Sequence, residues 1–321
     1  MNKLGLPFLY AFGTSIVLIS FLLWLGKRYN FSKIARRFGG LIVVLVFVSL
    51  VLLNRDLVIT KPILGILIGG IMILFFGLWD DLKNLSWKSQ LLFQIIIAIT
   101  AVSFGVRSGF ISNPFGGTIN LENPAVYFTL YTLYFLLFMN SLNWLDGVDG
   151  LSGSVTLVAL GIIIFLSLMP HVNQPATAIL SAIAGGAVFG FLVFNWHPAR
   201  IMAGTTGAWF FGFLLASLSI FAGAKIATVL MATLIPVLDL VGVVWERYQE
   251  NQSVFSGGDN RHLQFKLLKL GLGERQIVIG VCIASVIVGL VALNLNAVGK
   301  LVFIVIFSAG YFVFRNLKYK I

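Results

Sequence analysis

Residues 140–153 read NSLNWLDGVDGLSG, a polar island between two apolar runs of the kind that span a lipid bilayer. Asn143, Asp146 and Asp149 recur every third residue, which on a helix sets them along one face. Gly147, Gly150 and Gly153 leave that face bare of bulk, so that backbone amides or a ligand can approach. Asn, Asp and Gly also dominate solvated turns, but a plain turn does not need three helically spaced polar groups among Phe, Met, Leu and Trp. Carboxylates at the end of a membrane segment are costly, and a pair of them there marks a site.

Composition sets the class around this island. Hydrophobic residues make up 59% of the 321 residues and charged residues only 10%, with a mean hydropathy of +1.00. A soluble surface carries roughly 25% charged residues, so most of this chain faces lipid. Eleven apolar stretches are expected to cross the membrane, at about 6–25, 38–53, 62–79, 90–106, 125–141, 154–170, 176–194, 208–223, 226–243, 276–296 and 299–315. The second and eighth are short. The fold expected is all-α, one polytopic membrane domain over residues 1–321. The first stretch follows Lys3 without a small-residue cleavage site and reads as a retained span. The single cysteine, Cys282, lies in an apolar run, which leaves no disulfide framework and no cysteine metal site.

Charge sorts the loops by side. Sixteen of the 22 Lys and Arg fall on one face and six on the other; since basic loops stay cytoplasmic, the N-terminus is expected outside and the C-terminus inside an inner membrane. The net charge of +11 is then a topology signal rather than a nucleic-acid footprint. Nine of the eleven acids share the cytoplasmic face, most at span ends, with only Asp56 and Glu122 outside. That describes a site at one membrane surface. A transporter built from inverted repeats would set its polar groups near the midplane, and no internal repeat is present.

Three further cytoplasmic segments carry polar chemistry. In GLWDDLKNLSWKSQ, residues 77–90, the adjacent Asp80 and Asp81 repel each other unless a cation compensates, and magnesium favours carboxylates shared with substrate phosphates. In FNWHPARIMAGTTGAWFFG, residues 194–212, Gly204–Gly207 lead into a helix whose first amides suit an anion, with Asn195 and Arg200 nearby; Thr205 or Thr206 is equally an N-cap. In the polar loop 245–276 the HLQFKLLKL stretch suits an amphipathic helix at the headgroups, which would bring Asp259, Arg261 and His262 within reach of a phosphate; such a basic loop is also read as a positive-inside anchor. Asp239 near the inner end of its span is either a partner for Arg247 or part of the site. His197 reads as an interfacial residue.

Together these segments resemble the polyprenyl-phosphate N-acetylhexosamine-1-phosphate transferases. The match rests on Asp80–Asp81, on the Asn140/Asn143/Asp146/Gly147/Asp149/Gly150/Leu151 signature, on Asn195–Pro198–Ala199 before a glycine turn, and on Asp259–His262–Leu263, with Gly39–Gly40 in support. It covers roughly residues 35–275. The resemblance implies that a polyprenyl phosphate attacks the sugar-bearing phosphate of a UDP-sugar, giving polyprenyl-diphosphate-sugar and UMP for cell-envelope glycan synthesis, with Mg2+ (or Mn2+) holding the diphosphate. It also implies that Asp80 and Asp81 orient or deprotonate the lipid phosphate. Asn143 and Asp81 would meet the metal, Asp146 and Asp149 the nucleotide, and Asn195, Arg247, Arg261 and His262 the substrate; a homodimer is in keeping. The chain departs from the pattern where the family's metal Asp reads Thr205, and at Ala208, Gln264, Phe265 and Gln90. A member that binds lipid phosphate or a partner without catalysis is the alternative reading, and a transporter a more distant one.

Overall fold

The structure, a computed structural model, describes residues 2–221, 226–253 and 260–317. Fourteen helices follow one another: α1 (Asn2–Arg28), α2 (Ser32–Ala35), α3 (Gly39–Leu53), α4 (Lys61–Lys83), α5 (Trp87–Ser103), α6 (Pro124–Leu145), α7 (Leu151–Leu168), α8 (Pro175–Asn195), α9 (Gly204–Phe221), α10 (Ile226–Ala232), α11 (Leu234–Gln249), α12 (Leu263–Lys269), α13 (Glu274–Asn294) and α14 (Ala297–Leu317). One antiparallel hairpin, β1 (Phe110–Ser112) with β2 (Thr118–Asn120), lies between α5 and α6. The protein is an all-α polytopic membrane protein.

Each of the eleven apolar stretches is helical, but they are not eleven equal spans. Among the described residues eight helices are long and apolar enough to cross a membrane, or nine when α10 and α11, bent by 78° at their junction, are taken as one. The other two, α3 with 15 residues and α5 with 17, are shorter; at 1.5 Å per residue they reach about 22 and 26 Å, less than the ~30 Å hydrocarbon layer. The α10–α11 break has a chemical cause. Pro236 brings no N–H, and Thr233 turns its hydroxyl back to the Val229 carbonyl at 2.8 Å, so the backbone stays partnered through the bend.

The core lies around α8 and α9, which are almost wholly buried, whereas α1 and α14 show most of their apolar surface to lipid. Helix α9 packs on α3, α4, α6 and α7. Two glycines bring it in. A Cβ at Gly40 would meet the Gly207 nitrogen at 2.1 Å, and one at Gly77 would meet the Thr206 Cα at 2.7 Å, so only bare backbone lets the start of α9 seat against α3 and α4. The approach is pinned by Gly39 and Gly40, whose N–H groups donate to the carbonyls of Met202 and Ala203, both at 3.1 Å, and by Met202 N–H on the Arg36 carbonyl at 2.7 Å.

One local expectation is corrected. Asn143, Asp146 and Asp149 do not share a helical face. Helix α6 ends at Leu145 with Asp146 as its C-cap, residues 147–150 form a turn, and Gly150 in the left-handed region (φ 79°) starts α7. A spacing of three with glycines at 147 and 150 fits a helix end as well as a helix, and the chain takes the first.

Candidate active site

The last turn of α4 carries Asp80 and Asp81, both buried. Two adjacent carboxylates out of water need donors, and the fold supplies six. Asp80 accepts from Leu85 N–H at 2.8 Å, Gln90 Nε2 at 2.9 Å and the Thr205 hydroxyl at 2.6 Å. Asp81 accepts from Thr205 N–H at 2.6 Å and, on its other oxygen, from Thr206 N–H at 3.2 Å and the Thr206 hydroxyl at 2.6 Å. The anion at the N-terminus of α9 is thus the chain's own: Asp81 caps that helix from α4, where the exposed dipole end favours negative charge. Gly204 (φ 66°) is required here, since a Cβ would lie 2.6 Å from an Asp81 oxygen. Thr205 and Thr206 act as donors to carboxylates rather than as caps of their own helix. Arg37, not singled out by the sequence reading, donates to the Asp81 carbonyl at 3.0 Å.

Asp146 stands at the end of α6 and accepts from the Ser152 hydroxyl. Burial pushes its carboxyl up to about 7, and repulsion from Asp81 and Asp149 adds to the rise. Asp146 thus feels the charge of Asp81 on one side and of Asp149 on the other. Asn143, one turn back, is half-buried, and its amide has no hydrogen-bond partner among the described residues. Asn140 is held by Gln94, at 2.8 Å, and by the Leu136 carbonyl.

Asp149 and Asn195 knit the turn to the 196–203 loop. Asp149 accepts from Ala199 N–H at 2.9 Å and faces His197 Nδ1 at 3.0 Å, while its own N–H reaches Glu274 at 3.2 Å. Asn195 accepts from Gly150 N–H at 3.0 Å and donates to the Ile201 carbonyl at 2.8 Å. Glu274 also lies 3.2 Å from His197 Nδ1, so one imidazole sits between two carboxylates. The ligand atoms of Asp149, His197 and Glu274 all lie within 4.8 Å of one another, a set that the sequence reading missed because its members are up to 125 residues apart.

The Arg247, Arg261 and His262 positions fall in a second network. His262 Nδ1 is 2.7 Å from Asp239, and the Asp239 carboxylate also takes Leu263 N–H and Arg315 Nη1, each at 2.8 Å. Arg315 forks onto Glu246 at 2.8 and 3.0 Å, and Lys266 meets Glu246 at 2.8 Å. Arg261 donates to Glu250 at 2.7 Å and to Gln252 at 2.8 Å. Arg247 is buried with its guanidinium 5.0 Å from the Trp144 ring centre. Asp239 therefore pairs with His262 and Arg315, not with Arg247. Asp259 lies outside the described residues. The network abuts the 140–153 turn, since Gln264 Nε2 donates to the Trp144 carbonyl at 2.8 Å and Phe265 packs over Gly147.

Whether the acidic cluster suits a divalent cation follows from its donors. Asp80, Asp81 and Asp146 have no ion-pair partner among the described residues, each carboxylate of the pair keeps lone pairs beyond its three donors, and the Asn143 amide is open. Hard oxygen donors and negative charge are what magnesium or manganese takes, but among the described residues the acidic group whose ligand atoms all lie within 4.8 Å of one another is Asp149, His197 and Glu274, not Asp80, Asp81 and Asp146. Thr205 is a neutral neighbour of Asp80 and Asp81.

A buried acidic pair at one end of a membrane helix bundle, framed by a glycine-led helix N-terminus, is the candidate site of this polytopic membrane protein. Residues 63–223 match the model of the glycosyl transferase family 4, and the chain belongs to that family. It is similar to the Bacillus subtilis (strain 168) protein named "Probable undecaprenyl-phosphate N-acetylglucosaminyl 1-phosphate transferase", 29% identical over 277 residues, which cover 84% of this chain and 76% of that one. It is also similar to the decaprenyl-phosphate N-acetylglucosaminephosphotransferase of Mycobacterium tuberculosis (strain ATCC 25618 / H37Rv), 30% identical over 274 residues, 76% of this chain and 68% of that protein.

Proposed function

We propose that the protein transfers a sugar-1-phosphate, an N-acetylhexosamine by likeness to the relatives' names, from a UDP-sugar to polyprenyl phosphate. A lipid phosphate oxygen attacks the sugar-bearing phosphorus, the bond to the second phosphate breaks, and UMP leaves with that electron pair. The observation that carries this reading is the convergence of Thr205 and Thr206 on Asp80 and Asp81, with Asp146 near enough to Asp81 to feel its charge.

The chain's residues then have definite tasks. A phosphate monoester with a second pKa near 6 is mostly dianionic at neutral pH, so positioning matters more than a strong base. Asp80, locked by Leu85, Gln90 and Thr205, orients the lipid phosphate and takes any remaining proton. Asp81 and Asp146, with Asn143, are the residues that would hold Mg2+ (or Mn2+), which when bound supplies positive charge against the two phosphates. Asp149 holds the 196–203 loop at the nucleotide end. The reaction belongs at the cytoplasmic face of the inner membrane, N-terminus outside and C-terminus inside, in keeping with the basic loops; a homodimer is compatible with it.

Purified protein should release UMP from a UDP-N-acetylhexosamine only when polyprenyl phosphate and a divalent cation are both present. No UMP from any UDP-sugar in a broad panel would overturn the reading. A second reading, lipid-phosphate binding without turnover, is favoured by one observation: where the family's metal Asp is expected, Thr205 donates a hydrogen bond to Asp80. Retained polyprenyl-phosphate binding with no UMP under any metal, and turnover gained in Thr205→Asp, would select it.

A further inference from the structure

A cavity of about 650 Å³ opens between the end of α1, α2 and the 194–200 loop. None of Asp80, Asp81 and Asp146 lines it. One wall is apolar, made by Leu23, Trp24 and Phe194, and the rim carries Lys27, Arg36 and Arg200, with no acid in the lining. Lys27 and Arg200 have no carboxylate within ion-pair distance among the described residues. The Arg200 guanidinium is held at the rim, 5.0 Å from the Phe194 ring centre. Arg36 spends one nitrogen on the Ala199 carbonyl at 2.7 Å and keeps the rest of its fork.

Below the rim α1 continues as open apolar surface, with Val17, Phe21 and Trp24 each more than half exposed. The cations gather where the helix leaves the hydrocarbon, and the apolar wall runs into it. This is the pattern of a site for an amphiphile with a negative head: guanidinium forks and an ammonium match phosphate oxygens, and an acyl chain follows the helix.

We infer that this groove binds one anionic phospholipid, its phosphodiester head at Lys27, Arg36 and Arg200 and an acyl chain along Leu23 and Trp24. The inference does not depend on the transferase reading. It does place the lipid beside the site, because Ala199, which takes Arg36 on its carbonyl, gives its N–H to Asp149.

Native mass spectrometry of the delipidated full-length protein, titrated with phosphatidylglycerol or with phosphatidylcholine of the same chains, tests it. One phosphatidylglycerol should be retained, and Lys27→Gln with Arg200→Gln should cut its affinity about thirtyfold, the factor that two interfacial cations contribute, while phosphatidylcholine binding stays unchanged. Lys27→Arg with Arg200→Lys should keep the preference, which separates lost charge from lost fold. Arg28→Gln with Lys33→Gln, exposed cations outside the groove, should leave it intact. An equal loss in that pair would reduce the effect to the general surface field and overturn the site. One-for-one displacement of the phospholipid by a short-chain polyprenyl phosphate would assign the groove to the carrier lipid and overturn the commitment to a phospholipid. UMP release by Lys27→Gln alone, on α1 outside the 196–203 loop, is expected at the parent rate in neutral detergent, so failure of the groove and failure of the transferase reading are told apart.

Discussion

Thr205→Asp is the most informative single change. The Thr205 hydroxyl gives Asp80 a hydrogen bond at 2.6 Å and its N–H gives Asp81 another at 2.6 Å. The substitution keeps the N–H, removes a charge-assisted bond worth about 1.5–3 kcal/mol, and sets a third carboxylate about 4 Å from Asp80. At an effective dielectric of 20 two like charges at that distance repel by about 4 kcal/mol. Without a cation the variant must lose stability or take up a proton. With a cation the same carboxylate becomes a ligand, and saturation at 100 times the dissociation constant returns about 2.7 kcal/mol. Thermal unfolding in detergent with and without magnesium reads this directly: the apparent Tm of the variant should fall by several degrees in chelator and recover in millimolar magnesium, with a metal-dependent shift larger than the parent's. A variant as stable as the parent in chelator and indifferent to magnesium would mean that residue 205 does not face the acidic pair, and the site as described would fail.

Other perturbations probe separate parts of the structure. Asp146 keeps its proton to about 7 in the fold but to near 4 in the unfolded chain, so the folded state binds more protons between those values and stability falls as pH rises through that window; Asp146→Asn should flatten the slope between pH 5 and 8 and leave the variant more stable than the parent at pH 8, by up to roughly 4 kcal/mol. Gly77→Ala drives a Cβ to 2.7 Å from the Thr206 Cα and should cost about 1–3 kcal/mol along with UMP release, whereas Gly161→Ala, with nothing within 4 Å, should be neutral in both assays. Arg315→Met removes the partner that Asp239 and Glu246 share at 2.8 Å each, leaving Asp239 to His262 and Glu246 to Lys266; a loss of about 1.5–3 kcal/mol in denaturant unfolding is expected, and an unchanged midpoint would refute the clasp between α11 and α14.

What was legible in the sequence was set by local chemistry. Each apolar stretch had to be helical, because a membrane leaves no other way to satisfy its backbone, and Asp80–Asp81 stood out as adjacent carboxylates at the end of an apolar run. What was hidden depended on partners distant in the chain. Asp146 and Asp149 fitted a helical face, but α6 ends at Leu145 and the chain turns through 147–150 before α7 begins. Nothing near Thr205 announces donors to aspartates 124 and 125 residues away. Arg315 counted only as a positive charge on one side of the membrane, yet it is buried and ties α14 to Asp239 and Glu246. Arg261 and His262 looked like free phosphate contacts because Glu250 and Asp239, which hold them, carry no sequence signal of that pairing. The β1–β2 hairpin went unread, although Asn113, Pro114, Gly116 and Gly117 between its strands are turn residues.

The Asp81 carboxylate occupies the seat at the start of α9 where a helix of this kind would greet an incoming phosphate. The protein thereby carries an internal placeholder at that helix end, which is quiet while Asp81 holds it. A phosphate that takes that seat must displace Asp81, and a displaced Asp81 is a ligand set free. Entry of the anion and the readiness of the carboxylate to grip a cation would then be a single event.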